Sequence, residues 1–379
     1  MIMQKQNTDR GFSVLELLVS MAVGLIVLGA AASLFKTGMD STFLVAQRAE
    51  TQQNMRAAID LITKDLGQAG SGLPSGGVQL PSTTGANPVP TAAKFGCDQG
   101  GTCYVPAFNY PNNNYMYGII PGWSNGVQGN AVVPATAGKR NDSITVIYAD
   151  YNFPLFEYNV TFPLGPTGTQ INLTPNAAFV PAPPAANAIG GIQLGDLILV
   201  NGTNGVSAVG EVTGVTANTI SFADLDALNM NWSGPAHTKN NMYAVSGGAG
   251  YAFPLPAPGT QTQGTAYRLF AVTYYLTVPP AGQLPRLMRQ VNGLTPVPVA
   301  DNIVNLQFAY DIYNSNVIPT VLDANQPNPL GVAESPNLIQ KVNLWVMGES
   351  MTPDGNKSQS MYLATSVSAR NMAFRNRYQ

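Results

Sequence analysis

Few residues in this chain are of types that do chemistry, and their spacing narrows what that chemistry can be. The single histidine, His237, sits in a polar stretch, Gly-Pro-Ala-His-Thr-Lys. Serine, cysteine and metal-dependent hydrolases generally use a histidine held by a second group, and this loop offers none. Two cysteines, Cys97 and Cys103, lie six positions apart. Two thiols and one histidine fall short of a structural zinc site. In an oxidising compartment that short loop is an easy disulfide. Asp224 and Asp226 could form an acid pair or half a calcium site, but a helix start or turn is the commoner use of such a spacing. Gly202, Gly205 and Gly210 match no phosphate loop, and Gly247-Gly248-Ala249-Gly250 lacks the Lys-Ser/Thr that would complete one. No catalytic residue, cofactor or metal ligand is expected, so the chain reads as a non-enzyme. The remaining candidate is Glu16, a carboxylate inside an apolar run.

Residues 12–35 read FSVLELLVSMAVGLIVLGAAASLF. As a helix that run is roughly 36 Å long, enough to span a bilayer core. A short polar segment precedes it, with Lys5 and Arg10, and a long Gly/Pro-rich region follows. Positive charge before the span puts the N-terminus in the cytoplasm and the rest of the chain across the membrane. Small residues from Gly29 to Ala32 leave an ordinary secretory cut as a competing reading. Against it, the apolar run is long for a signal core and continues into a helical stretch with no breaker before Gly67. A carboxylate inside such a span costs at least a few kcal/mol and is usually functional. Snorkelling is the bland alternative, because Glu16 is near the cytoplasmic end.

The run Gly11-Phe12-Ser13-Val14-Leu15-Glu16 resembles the class III signal of type IV prepilins. The resemblance implies that a prepilin peptidase cuts after Gly11 on the cytoplasmic face and methylates the new N-terminal residue, Phe12. Glu16 is then the fifth residue of the mature chain. A filament of apolar helices excludes water, so a buried charge there needs a partner. The amine of a neighbouring subunit's Phe12 would be that partner and would set the register between subunits, as a lone buried polar group does in a coiled coil. Major pilins usually carry a proline inside this helix. The present span has none, only Gly24 and Gly29 as weak points, which argues against a role as the bulk filament subunit.

From Leu44 the pattern becomes amphipathic. Met55, Ile59, Ile62 and Leu66 are spaced four, three and four apart, the stripe of a helix that packs on a globular domain. One helix is therefore expected from Phe12 to Gln68. Beyond it, 38 Gly and 29 Pro in 379 residues demand many turns. Residues 67–140 read as a mainly irregular insertion holding the cysteine loop and an aromatic run with Tyr104, Phe108, Tyr110, Tyr115, Tyr117 and Trp123. Those rings either pack the insertion down or form a binding surface. Strands are expected at 143–149, 158–162, 197–200, 206–212, 219–222, 270–278, 284–290, 303–312 and 342–347, from β-branched and aromatic runs bounded by Gly, Pro and Asn. No βα alternation occurs, so the sheets should be antiparallel. The fold class is α+β and pilin-like.

Several segments, in order, are similar to the PilW group of minor pilins and more distantly to the J-type pseudopilins of type II secretion. They are Asn141 to Val146, Gly195 to Val200, the Tyr274-Tyr275 strand leading to Leu287-Met288-Arg289, Asn302 to Asp311, and Arg370-Asn371. The similarity implies a leader at 1–11, a filament-core helix half at 12–35, an amphipathic half at 36–68, and a periplasmic β-rich domain at 69–379 with insertions at about 69–140 and 159–190. It implies partners too: other minor pilins and the major pilin through the N-terminal helix, prepilin peptidase, the inner membrane before assembly, and a large tip adhesin. A tethered adhesin using the loop insertions is an alternative. Net charge is −2, so no global field recruits nucleic acid. Arg370, Arg375 and Arg377 read as a solvated end.

Overall fold

The computed structural model describes residues 11, 13–74, 76–80, 94–104, 115–122, 141–163, 168–175, 191–203, 205–216, 218–224, 226–231, 242–245, 264–277, 285–312, 336–351 and 358–373. The chain divides into two compact units, Met1–Thr51 with Ser350–Gln359, and Gln52–Glu349 with Ser360–Gln379. The N-terminal helix runs Val14–Gln68, so the division falls inside it.

In the first unit the helix is apolar all round from Leu17 to Phe35, and its large side chains there are exposed. A helix of that kind needs an apolar solvent or neighbours of its own kind. It is long and apolar enough to cross a membrane. Several of its hydroxyls, those of Ser20, Thr37, Ser41 and Thr42, are satisfied within the helix. Thr37 donates to the Ser33 carbonyl at 3.0 Å, and Ser41 and Thr42 donate to the Thr37 and Gly38 carbonyls at 2.8 Å. No donor on these side chains is then left for hydrocarbon to strand.

In the second unit the same helix buries one stripe. Met55, Ala58, Ile62, Leu66 and Ala69 share a core with Ile144, Val146, Tyr274, Leu306 and Leu344, while Ile59 is only partly buried against it. The helix stops because Gly70 adopts φ 77° and its N–H turns to the Ile147 carbonyl at 2.8 Å. A left-handed residue just past the last turn is the usual glycine stop. Gly118 closes over this turn so tightly that a Cβ on it would lie 2.4 Å from the Gly70 nitrogen.

The sheets are antiparallel in every described pairing. An eleven-stranded sheet is organised on the long strand Gly264–Thr277. Residues toward its end pair with Ser143–Ala149 and Arg286–Val291, and residues toward its start pair with Leu197–Gly202. A separate three-stranded sheet holds Ile303–Ile312, Ile339–Met351 and Ser358–Ser368. Leu306, Phe308 and Tyr310 face Val346, Leu344 and Val342 across it and complete the core under the helix.

Three features differ from the expectations. Within 67–140, expected to be irregular, Ile119–Gly122 is a fully buried strand paired with Ser143–Ala149. Its Pro121 is tolerated because, among the described residues, the strand has a neighbour on one side only. Within 159–190, the expected strand is present as Tyr158–Thr161, and Gln170–Pro175, expected to be a connection, pairs with it in a hairpin. Val160, Phe162, Ile171 and Leu173 from this region fill a second core with Ala208, Ile220 and Phe222. Strands Val297–Asp301 and Ser358–Ser368 had no counterpart in the sequence reading. Their many Ser, Ala, Pro and Asp positions dilute the β-branched signal, although 359–368 does alternate half-buried and exposed residues.

Candidate processing and assembly site at the helix N-terminus

The site is built on the first turn of the helix. Gly11 is exposed and outside the helix, and nothing described lies within 4 Å of where a Cβ would stand. Packing among the described residues therefore does not demand glycine there. Phe12 and the leader with Lys5 and Arg10 lie outside the described residues. Ser13 is the N-cap: its carbonyl accepts the Leu17 N–H at 3.2 Å and its hydroxyl oxygen accepts the Leu15 N–H at 3.1 Å. The Ser13 N–H in turn donates to Glu16 Oε2 at 3.3 Å. This is a reciprocal capping box, Ser-x-x-Glu, satisfying two otherwise orphaned donors. The negative carboxylate in the first turn also suits the positive end of the helix dipole. Glu16 is exposed in the single chain and has room for a further donor.

The first turn thus combines a glycine with no internal reason, a capped helix start, a carboxylate three residues on, and an exposed apolar helix. Residues 6–32 match the family described as the prokaryotic N-terminal methylation motif. No curated protein and no solved structure matches the chain. The motif gives the chain a type IV pilin- or pseudopilin-like signal and makes a structural role its first reading. With the apolar helix it points to membrane anchoring.

Cys97 and Cys103 form a disulfide. It closes a small antiparallel ladder, with Asp98 N–H to the Thr102 carbonyl at 3.0 Å and Tyr104 N–H to the Gly96 carbonyl at 2.9 Å. The Tyr104 hydroxyl donates to Asp98 Oδ2 at 2.6 Å and holds that carboxyl below its usual range. The loop docks on the sheet. Gln99 N–H reaches the Gly293 carbonyl at 2.9 Å, and Tyr104 stacks on Tyr275 with ring centroids 5.9 Å apart. Gly195 lies beneath it at φ 86°, a left-handed conformation that favours glycine. Tyr104 thus packs the loop down. Tyr115 and Tyr117 stack on each other at 6.1 Å, the first exposed and the second buried. Phe108, Tyr110 and Trp123 lie outside the described residues, as do His237, Gly247 to Gly250, Arg375 and Arg377.

Asp226 sits in a turn: its carboxylate accepts the Met230 and Asn231 N–H groups, both at 2.8 Å. Glu211 lies beside it, and among the described residues no third ligand type joins them. Burial first, then its hydrogen bond with Asp226, pushes the Glu211 carboxyl up to about 9.

The sequence reading missed Asp65. It is buried on the sheet-facing side of the helix, where its Oδ1 accepts the Tyr148 hydroxyl at 2.9 Å and its Oδ2 the Tyr274 hydroxyl at 2.5 Å. Arg289 adds Nε and Nη2 at 3.2 and 3.1 Å. Burial, then the Asp65 charge, raises both tyrosine hydroxyls well above their usual range. One helical carboxylate thereby ties three strands and the helix together.

Proposed function

We propose that this chain is a minor pilin of the PilW type, processed by prepilin peptidase and used in type IV pilus assembly within a priming or tip complex. The observation that supports this reading is the methylation motif over residues 6–32 at the head of a 55-residue helix. The peptidase hydrolyses the bond after Gly11, and a methyl donor then supplies the group added to the Phe12 amine. Glycine suits the cut because the peptidase must approach the backbone closely, and packing among the described residues makes no other demand for it. Before assembly the protein is a single-pass inner-membrane protein with a periplasmic β-rich domain. Afterwards its apolar helix packs against other minor pilins and the major pilin, and Glu16 pairs with the amine of a neighbour's Phe12. A large tip adhesin is a further partner in this scheme. The ordered segment similarities to the PilW group, and the absence of a proline from the span, favour the minor-pilin form.

The test separates processing from assembly. Glu16→Ala should be cut and inserted like wild type but recovered poorly with sheared filaments. A buried charge stripped of its partner typically costs several kcal/mol, enough to disfavour docking. Wild-type recovery of Glu16→Ala in filaments would sink the pairing role. Recovery of the wild-type chain only with a secretion apparatus would move the assignment to a pseudopilin.

A further inference from the structure

The capping box explains more than where the helix begins. In an uninterrupted α-helix the Leu15 N–H would bond to the carbonyl four residues earlier, which is that of Gly11. That carbonyl is the one attacked when the chain is cut. In the structure the Leu15 N–H is taken by the Ser13 hydroxyl oxygen at 3.1 Å instead. The next turn is anchored on the Ser13 carbonyl through Leu17 at 3.2 Å. Ser13 N–H, held by Glu16 at 3.3 Å, completes the stop. Gly11 accordingly remains outside the helix and exposed. The residues that follow Ser13, Val-Leu-Glu-Leu-Leu, are compatible with helix and give no other reason for the boundary.

We propose that Ser13 is a positioning residue for proteolytic processing: as N-cap it halts the helix and keeps Gly11, whose carbonyl is attacked, outside it for the peptidase. The inference rests on the pilin reading and adds a residue that the reading did not use. Independent support that an enzyme acts here is the methylation motif, which spans this terminus. In the cut, water adds to the Gly11 carbonyl carbon and the C–N bond to Phe12 breaks. The hydroxyl stays on the new Gly11 carboxyl and the proton goes to the new Phe12 amine. A carbonyl already engaged in a helical turn is shielded by that turn and is less open to such attack, as proteolysis in general favours chain outside regular structure. Glu16 only reinforces the stop, so its loss leaves the Ser13 cap in place.

The experiment uses the full-length chain in membranes, purified prepilin peptidase, and mass spectrometry of the N-terminus over time. Ser13→Thr and Ser13→Asn keep a capping oxygen and should be cut at the wild-type rate. Ser13→Ala removes the cap and introduces the strongest helix former, and should be cut about fivefold more slowly. Adding Val14→Pro to Ser13→Ala should restore the rate, because proline at the first helical position keeps the residue before it out of the helix. Ser13→Ala cut as fast as wild type overturns the inference. So does a Ser13→Ala/Val14→Pro chain that stays slow, because the enzyme would then be reading the hydroxyl itself. If the wild-type chain is not cut after Gly11 in the same assay, the pilin reading fails, a result distinct from either of these.

Discussion

Asp65→Ala should unfold this protein more readily than any surface charge change. The Asp65 side chain is 4% exposed and its partner Arg289 is 23% exposed, so water screens the pair poorly. The carboxylate accepts from two buried tyrosine hydroxyls and from the guanidinium. An exposed ion pair is worth about 0–1 kcal/mol. Removing one member of a buried pair costs about 3–5 kcal/mol, because the other charge stays desolvated. Burial decides for the larger figure, about a fifth or more of the roughly 5–15 kcal/mol that holds a typical domain together. Asp65→Asn should fall between, since an amide still accepts one hydroxyl but leaves Arg289 unpaired. Asp65→Leu with Arg289→Met should recover much of the loss, because replacing a whole buried pair by apolar groups is often near neutral. The assay is guanidinium unfolding of the detergent-solubilised chain, followed by near-ultraviolet circular dichroism, which reports on buried Tyr148 and Tyr274. A loss below about 1 kcal/mol for Asp65→Ala would place the network among surface pairs and refute the reasoning.

Stability should also fall as pH rises above the ordinary carboxylate range. The folded state holds the Glu211 proton more tightly than the unfolded chain does, so the folded form is favoured at low pH and loses about 1.4 kcal/mol per pH unit between the two pKa values. Glu211→Gln should flatten that slope when unfolding is measured from pH 5 to 8, and an unchanged slope would show that Glu211 is not its source. The Cys97–Cys103 bond should be present in exported protein by mass spectrometry without reduction, and two free thiols would contradict it. Replacing both cysteines by serine should lower stability by about 2 kcal/mol for so short a loop, and should release Tyr104 from Tyr275, seen as a change in tyrosine fluorescence.

How much of this was legible follows from the range of each interaction. The helix was readable because its period is local: the stripe Met55, Ile62, Leu66 is the buried one. Ser143–Ala149 and Ile303–Ile312 were readable because consecutive β-branched and aromatic residues mark them. Tyr158–Thr161 was readable, but its hairpin partner Gln170–Pro175 was not, because the Gly, Pro and Thr around it look like a connection, yet long-range pairing with 219–221 gives it a core. Asp65 was missed because its partners are 83, 209 and 224 residues away. One local hint did exist: Asp65 adjoins the apolar stripe and lies three residues beyond Ile62, on the side that packs. The Ser13–Glu16 box was in plain view as Ser-x-x-Glu before an apolar run. Attention to Glu16 as a membrane charge hid its partner. Phe12 lies outside the described residues, so its role rests on the motif.

The central claim is that this chain is cut between Gly11 and Phe12 and enters a filament by its N-terminal helix. N-terminal mass spectrometry of the protein recovered from its native membrane tests it most directly. The account predicts a mature chain that begins at Phe12 and carries one methyl group on its amine, and a Gly11→Val chain that keeps its leader and stays in the membrane. A mature chain that begins just after Gly29 to Ala32, or one that still carries Met1 to Gly11, would contradict it.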